Sequence, residues 1–388
     1  MYRKNVRLLK IFNFLIGFSL FAPLAIIYFS RVSGSFTLGA SVFGITMLAS
    51  ALFEVPTGIW SDRMGRKQTI VLGSWARVLA FVFYAIGLSY WWLVAGAILE
   101  GLSRAFYSGN NNAFLHDTLE DDGLTSEYDE HLGKTSSTEQ LALGLSAALG
   151  SIIASMSFSW LLWLSVLAQV GMLIVSYQFV EPKSRIKIDS NIYTHLKEAL
   201  KLFVKNKKLR LLSITSIINF AFSELAYQFR AAFISTVWPL WAVGFANVMA
   251  NFGATWSFYM SGKIMRKYKA INILLFRSIY GKVIGLIAFG LPSVFSPLLT
   301  FTPSLLFGVG EVAESTLLQK EFSQQQRATM SSLNSLGGSI GFFIMSLVLG
   351  GLADALGPAK ALFTTTAISL PVIYFYWLLF NRDRTIKA

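Results

Sequence analysis

Long apolar segments, with most charged residues confined to the gaps between them, constrain this chain more than any other feature. Of its 388 residues, 54% are hydrophobic and only 14% are charged, whereas about a quarter of the residues in a typical soluble domain carry charge. A soluble protein of this length would lack the charge to cover its surface. Since a transmembrane helix needs about 20 mostly apolar residues, the sequence predicts an all-α protein that crosses a membrane many times.

Twelve candidate transmembrane helices can be placed along the chain. The first is too long for the apolar core of a cleaved signal peptide, and no clean cleavage site of small residues follows it. We therefore expect residues 1–10 to be a cytoplasmic leader into helix 1. The approximate bounds of the twelve are 8–30, 38–60, 68–90, 91–112, 139–158, 160–180, 209–231, 234–261, 270–292, 294–317, 329–353 and 358–380.

The basic residues predict the orientation, because cytoplasmic loops carry an excess of Lys and Arg. Basic clusters precede helix 1 and follow helices 2, 6, 8 and 12, which share one side when twelve helices are counted. The other side holds little beyond Arg31, Arg230 and Lys360. Both termini are predicted to be cytoplasmic, and the expected location is a bacterial inner membrane. The net charge is +13, but the basic residues lie in the gaps between apolar segments and form no patches flanked by aromatic residues. Nucleic acid is therefore not an expected partner.

Several other classes of protein find no support. The chain has no cysteine, so it has neither disulfides nor thiolate metal ligands. Its three histidines form no metal-binding pair at helical spacing, and no serine elbow indicates a hydrolase. Gly133-Lys134-Thr135 lacks the earlier glycine of a phosphate-binding loop, because position 128 is Tyr. We expect no cofactor, no metal and no enzyme, while a non-transporting receptor on the same fold stays open.

The most specific short motif lies between helices 2 and 3 and reads Gly58-Ile59-Trp60-Ser61-Asp62-Arg63-Met64-Gly65-Arg66-Lys67. Glycines allow close backbone approach and a sharp reversal, and an aspartate can cap the N-terminus of a following helix. A weaker copy follows helix 8, where Arg266 stands in place of the aspartate. The repeat predicts two six-helix halves, 1–180 and 209–388, joined by a basic cytoplasmic linker at 181–208.

This arrangement resembles the major facilitator superfamily of membrane transporters, which carries the motif at the same place. Glu54-Val55-Pro56-Thr57-Gly58, leading into the motif, is the strongest match. The stretches Arg327–Leu333 and Ser108–Asp117 are similar to segments of bacterial drug-efflux-like members. The resemblance implies two six-helix bundles, a central cavity, and rocking between inward-open and outward-open states. Helix 5 lacks the Gly-Pro pair that many antiporters of the superfamily carry.

The resemblance also implies roles for the motif residues. They would form a conformational latch against helix 11 that stabilises the outward-open state, and Glu54 would lie near the cytoplasmic gate. The latch residues are Gly58, Asp62, Arg63, Gly65, Arg66 and Lys67.

Four carboxylates fall inside predicted spans, on helices 4, 7 and 10, which line the cavity in the major facilitator plan: Glu100, Glu224, Glu311 and Glu314. Charge inside a membrane is costly and marks a functional candidate. Glu100 and Arg104 share a helix face and can pair. Glu311 and Glu314 also share a face, where two carboxylates raise each other's proton affinity. We expect these residues to bind protons or substrate, the alternative being structural ion pairs.

The sequence thus predicts a monomeric secondary transporter that exports a small amphipathic drug or metabolite in exchange for protons. Its partners would be the small-molecule substrate, protons and the lipid bilayer. An uptake symporter for a nutrient or siderophore is the alternative. Arg77 and Arg277, on helices that are peripheral in this plan, are expected to reach the membrane interface. Lys282 lies nearer mid-membrane and has no predicted role.

Overall fold

The computed structural model describes residues 2–183, 203–204, 206–321 and 327–385, and all regular secondary structure in these ranges is helical. Three short 3₁₀ turns, Ala22–Leu24, Thr125–Glu127 and Thr302–Leu306, lie between helices. The α-helices are α1 Tyr2–Gly17, α2 Ala25–Ser33, α3 Phe36–Met64, α4 Arg66–Ile86, α5 Tyr90–Tyr107, α6 Asn110–Glu120, α7 Tyr128–Met156, α8 Phe158–Tyr177, α9 Lys207–Ile234, α10 Leu240–Lys267, α11 Ala270–Gly290, α12 Ser296–Phe301, α13 Phe307–Glu321, α14 Arg327–Leu356, α15 Pro358–Ile368 and α16 Pro371–Thr385.

The chain forms two compact units. The first holds Met1–Asp189 together with Leu240–Gly244, and the second holds Ser190–Pro239 and Phe245–Ala388. Helices α1 to α8 therefore belong to the first unit, and α9 to α16, apart from the start of α10, to the second. Most of the predicted linker at 181–208 lies outside the described residues.

Within the described residues, nine helical segments are long and apolar enough to cross a membrane. They coincide with nine of the twelve predicted spans, and the protein is a multi-pass membrane protein. The three remaining predictions fall on α5, α10 and the pair α12–α13. Polar residues lower the hydropathy of these segments: α5 carries Glu100 and Arg104, and the 3₁₀ turn Thr302–Leu306 divides the third. This helix order is consistent with twelve spans.

The acidic segment between helices 4 and 5 is more helical than the sequence suggested. The predicted spans 91–112 and 139–158 leave residues 113–138 between two helices, but α6 continues to Glu120 and α7 begins at Tyr128. The predicted start at 139 is too late because the polar residues at the start of α7 extend the helix past its apolar part. The longer helix brings Glu139 inside the candidate span Glu130–Met156.

The first candidate span, Arg3–Ser33, is broken between the end of α1 at Gly17 and the start of α2 at Ala25. The carbonyl groups at the end of α1 lose their partners within the helix and need other hydrogen-bond donors inside a membrane. The carbonyl of Leu15 accepts from Gln169 Nε2 at 3.1 Å, and that of Ile16 from Arg77 Nη2 at 3.0 Å. Ser146 Oγ donates to the carbonyl of Gly17 at 3.2 Å. Three helices, α4, α7 and α8, thus supply the donors that stabilise the end of α1.

Arg77 is a structural residue of this break. Its side chain is buried, and its Nε also donates to Gln169 Oε1 at 2.9 Å. The expectation that Arg77 reaches the membrane interface is therefore wrong. A guanidinium has donors pointing in several directions, so it can bind the Ile16 carbonyl and Gln169 at the same time.

Glycines let the broken segment approach α7 closely. A Cβ atom at Gly150 would overlap the carbonyl oxygen of Leu20, which lies between α1 and α2. Gly144, on the same helix, has no described atom within 4 Å of the corresponding Cβ position. Close packing against the break therefore depends on Gly150 and not on glycine in general.

We expect Gly150→Ala to destabilise the protein by about 1–3 kcal/mol, because the added methyl overpacks the contact with Leu20. Gly144→Ala should leave stability unchanged or slightly raised, since alanine is the better helix former. Thermal unfolding of the two purified variants in detergent compares these changes directly. Equal melting temperatures for both variants would contradict the packing argument.

Candidate functional site

The reversal between α3 and α4 takes place at one residue. Gly65 ends α3 and precedes α4 with φ 102° and ψ 163°, a backbone conformation that favours glycine. Asp62 lies in the last turn of α3 and not ahead of the next helix. Its side chain is outside the described residues. The sharp turn predicted at Gly65 is present.

A carboxylate does cap the N-terminus of α4, but it is Glu181. Its Oε1 accepts from the backbone N–H of Arg66 at 2.8 Å, and its Oε2 from that of Lys67 at 2.7 Å. Both N–H groups are unpaired within the helix, and the positive end of the helix dipole favours a negative charge there. Glu181 therefore fills the capping role that the sequence analysis assigned to Asp62.

Asn5 positions the segment that carries Glu181. The Asn5 side chain is buried, donates to the carbonyl of Val180 at 2.8 Å, and accepts from the Val180 N–H at 3.0 Å. The Lys183 N–H donates to Asp121 at 2.7 Å. These bonds tie the end of the first unit to α1 and to the end of α6.

Arg66 joins the ends of three helices. Its Nε donates to Asp117 Oδ2 at 3.2 Å, and its Nη1 to Ser61 Oγ at 2.9 Å. Ser61 Oγ donates in turn to Asn110 Oδ1 at 2.6 Å, and Asn110 Nδ2 donates to the carbonyl of Arg66 at 3.2 Å. The Asp117 side chain is 7% exposed and that of Arg66 is 20% exposed. The arrangement is a largely buried, charge-assisted network at the ends of α3, α4 and α6.

The sequence analysis missed four members of this network. Ser61, Asn110 and Asp117 were not candidates, and Glu181 was placed in the linker. A signal was available for two of them, because Asn110, Phe114 and Asp117 recur at helical spacing and are all buried. Nothing in the sequence pattern marks Glu181, because its partners are backbone N–H groups 114 and 115 residues away.

The other motif residues have fewer described contacts. Gly58 lies within α3, and no atom of the described chain is within 4 Å of its Cβ position. Arg63 is exposed, and Lys67 and Glu54 are half-buried. Their roles in the latch and the gate stay predictions.

His116, Asp117 and Glu120 offer ligand atoms within 4.8 Å of one another, which is close enough for a metal ion. Asp117 already accepts from Arg66, and His116 Nδ1 lies 3.7 Å from its other oxygen. The protein's own cation thus explains the placement of Asp117, and we assign no metal to this group.

The Glu100 carboxylate has partners on two helices. Its Oε1 accepts from Arg104 at 2.9 and 3.2 Å, so the predicted ion pair on α5 is present. Its Oε2 accepts from the Tyr84 hydroxyl on α4 at 2.9 Å. Tyr84 is fully buried, so the pair is anchored to the packed interior of the first unit.

The carboxylates of the second unit have separate partners. Glu311 pairs with Arg277 at 3.0 Å, and Glu314 accepts from Ser216 and, at 3.2 Å, from Tyr376. The two acids are one helical turn apart but do not share a partner among the described contacts. Arg277 is 16% exposed and forms an ion pair, and the expectation that it reaches the membrane interface stays a prediction.

Glu224 on α9 and Lys282 on α11 are the remaining charged residues that the sequence analysis discussed inside predicted spans of the second unit. Glu224 accepts from Gln228 Nε2 at 2.9 Å, one turn further along α9. Lys282 is buried on α11 and has no described hydrogen-bond or ion-pair partner.

The partners determine what each carboxyl group can do. A protonated carboxyl can donate a hydrogen bond, and a hydroxyl can accept one. Glu314, held by a serine and a tyrosine, can gain a proton while its described partners remain bonded. Glu100 and Glu311 would each leave an arginine without its counter-charge. By this criterion, Glu314 and Glu224, whose described partner Gln228 is also neutral, are better suited to repeated protonation than Glu100 and Glu311.

Comparisons with known proteins agree with this architecture. A sequence model of the Major Facilitator Superfamily matches residues 8–320. The uncharacterised MFS-type transporter MJ1560 of Methanocaldococcus jannaschii is 25% identical over 376 residues, covering 92% of this chain and 93% of that protein. The uncharacterised transporter YxaM of Bacillus subtilis is 22% identical, with 96% and 95% covered. The crystal structure of the nucleoside transporter NupG superposes with a TM-score of 0.83 at 14% identity, covering 98% of each chain.

The match spans most of the chain, and the protein therefore belongs to the major facilitator superfamily. It has that superfamily's all-helical membrane fold, which the structural similarity to NupG supports independently of sequence. The superfamily consists of membrane transporters that act on small molecules, so the protein falls in the transporter class.

We predict that Asp117→Asn lowers stability, because it leaves a largely buried Arg66 without its counter-charge, at a cost of about 2 kcal/mol or more. Combining it with Arg66→Gln should cost less than the sum of the two single changes. Arg63→Gln, at an exposed position in the same turn, is the matched control and should be neutral. Melting temperatures of the four variants in detergent form the test, and strict additivity would show that the pair is not coupled.

Proposed function

We propose that the protein is a proton-coupled secondary transporter that exports a small amphipathic compound by alternating access. Superfamily membership supports transport of a small molecule. The observation that carries proton coupling is the placement of carboxylates on membrane helices of both units, each bonded to side chains of its own or another helix. Ionisable groups at membrane depth are expensive and mark ion or substrate pathways.

Alternating access needs a ligand that binds two conformations with different affinity. A proton on a membrane carboxyl meets this requirement when the partners of the carboxyl change between the two states. Glu314 is the strongest candidate, because its described partners lie on two other helices, α9 and α16. Movement of either helix would change its proton affinity.

An uptake symporter for a nutrient or siderophore is the second candidate. Helix 5 has no Gly-Pro pair of the kind found in many antiporters of the superfamily, and NupG, with a similar fold, is a nucleoside transporter. Both observations favour testing nutrients beside amphipathic drugs.

We also propose a bacterial inner-membrane location with both termini in the cytoplasm. The side on which Lys and Arg accumulate supports this orientation. The Gly58–Lys67 motif would then face the cytoplasm, where the proposed latch uses Asp62 to stabilise the outward-open state.

The first experiment identifies the substrate and the direction of transport. A panel of amphipathic drugs, nucleosides such as uridine, siderophores and short peptides is screened for compounds that raise the melting temperature of the purified protein. A radiolabelled hit is then followed in proteoliposomes under an imposed pH gradient. Substrate movement opposite to protons supports export, movement with protons supports the symporter, and a flux that ignores the gradient would overturn proton coupling.

We predict that Glu314→Gln lowers gradient-driven accumulation of the hit by about tenfold or more while equilibrium exchange of labelled for unlabelled compound continues. The reason is that glutamine keeps the hydrogen-bonding shape but cannot bind and release a proton. Glu130→Gln, at an exposed position, serves as the control. Unchanged accumulation by the Glu314, Glu100, Glu224 and Glu311 variants in turn would remove these four residues from the mechanism.

For the latch, we predict that Asp62→Asn shifts the conformational equilibrium toward the inward-open state without preventing folding. Loss of the negative charge would weaken the interaction proposed to hold the cytoplasmic side closed. Distances between spin labels placed on the two units report the shift, with Glu120→Gln, at an exposed position, as the control. Identical distance distributions for Asp62→Asn and the unsubstituted protein would rule the latch out.

A further inference from the structure

Glu139 is a carboxylate inside a membrane span that the sequence analysis placed at a helix boundary. The span containing it runs from Glu130 to Met156. Since an α-helix rises 1.5 Å per residue, Glu139 lies about 14 Å along this segment of about 40 Å. The apolar part of the segment begins two residues later, at Leu141, so Glu139 lies inside the candidate span at the start of its apolar part.

Glu139 differs from the four predicted carboxylates in having no described partner. Glu100, Glu224, Glu311 and Glu314 each accept at least one side-chain hydrogen bond. Glu139 is half-buried, and no hydrogen bond or ion pair joins its carboxylate to the described part of the chain. An ionised Glu139 would lack the side-chain hydrogen bonds that offset the cost of burying the other four carboxylates.

The carboxylate lies beside the broken end of α1. A Cβ atom at Gly17 would be 3.2 Å from Glu139 Cγ and 2.7 Å from the Glu139 carbonyl oxygen. The neighbouring Thr138 hydroxyl donates to the carbonyl of Lys10 at 3.1 Å, so this face of α7 packs along α1. Helix C-termini carry partial negative charge on their carbonyl groups, and an ionised Glu139 adds to the negative charge that Arg77, Gln169 and Ser146 offset at the end of α1.

The surrounding charges do not supply a direct partner. The guanidinium of Arg77 acts on Glu139 only at long range, and its described bonds go to Gln169 and the Ile16 carbonyl. Among other elements packed against α7, α1 carries Lys10 near the contact, α6 carries His116, Asp117 and Glu120, and the 3₁₀ turn before α7 carries Glu127. Helix α8 carries no Asp, Glu, Lys, Arg or His. On α7 itself, Glu130, His131 and Lys134 lie at least one turn away toward the cytoplasmic end.

We propose that Glu139 is the proton-carrying carboxyl of the first unit and that its charge acts on the break in α1. Protonation removes both the unpaired charge and its repulsion from the carbonyl groups at the end of α1. Deprotonation restores both the charge and the repulsion, and we expect the segment between Gly17 and Ala25 to move in response. The proposal rests on the proposed proton-coupled function and names a coupling residue for it.

The test uses the purified full-length protein without any substrate. Infrared difference spectra are recorded while the pH is raised from about 5 to about 9. We expect a component of the protonated-carboxyl C=O stretching band that disappears during the titration, is missing in Glu139→Gln, and is retained in Glu130→Gln. Glu314→Gln should also retain it, because Glu314 would contribute a separate component. Glu130 is on the same helix and exposed, so it is a matched control for the substitution itself.

A second measurement follows the break. Hydrogen exchange of the backbone amides at residues 18–24, recorded by mass spectrometry, should depend on pH beyond the intrinsic rate in the unsubstituted protein. Glu139→Gln should abolish this dependence, and Glu130→Gln should preserve it. Identical titrating bands in Glu139→Gln and in the unsubstituted protein would overturn the proton site, and unchanged exchange across the titration would overturn its action on α1.

These outcomes are separate from failure of the proposed function. If proteoliposomes show no proton-driven flux while the Glu139 band and the exchange effect are present, the proton site stands and the proposed coupling is wrong. If flux is proton-driven and Glu139→Gln preserves both the flux and the band, coupling stands and Glu139 is not its carrier.

Discussion

The carbonyl groups at the broken end of α1 must be paired inside the protein, and the packing of the first unit depends on this requirement. Lipid offers no hydrogen bonds, so a break in a membrane helix persists only where other residues supply donors. Arg77, Gln169 and Ser146 come from three different helices to do so. Gly150 permits the close approach that brings α7 against the segment after the break.

The same need to pair backbone groups at a helix end explains the network at the turn between α3 and α4. The first N–H groups of α4 have no partner within the helix, and both oxygens of Glu181 satisfy them. Arg66, one residue after Gly65, then reaches Asp117 on α6. Backbone groups left unpaired at helix ends thus recruit charged side chains from distant parts of the chain. In both places, the residue that completes the pairing is one whose role the sequence pattern did not reveal.

The contrast between Arg77 and Glu139 separates a structural charge from a functional candidate. Arg77 is buried and bonded, and its removal would leave α1 carbonyls unsatisfied. Glu139 is half-buried and has no described partner, so no contact among the described residues of the first unit accounts for a carboxylate there. The sequence analysis placed Arg77 at the membrane interface and did not single out Glu139, because hydropathy and helix number report the surroundings of a residue only on average. Glu100 and Arg104 were predicted correctly because their pairing is local to one helix turn.

By itself, the sequence determined the membrane class, the order of the apolar spans, the sharp turn at Gly65 and the superfamily. These depend on local properties: apolar segment length, the positions of charges, and the backbone freedom of glycine. Only the tertiary structure decided that Glu181 caps α4, that Arg66 binds Asp117, that Arg277 pairs with Glu311, and that Glu139 lies beside the end of α1 at Gly17. Each of these is a contact between residues distant in sequence, and it exists because packing brings helix ends and buried polar groups together where no water can satisfy them.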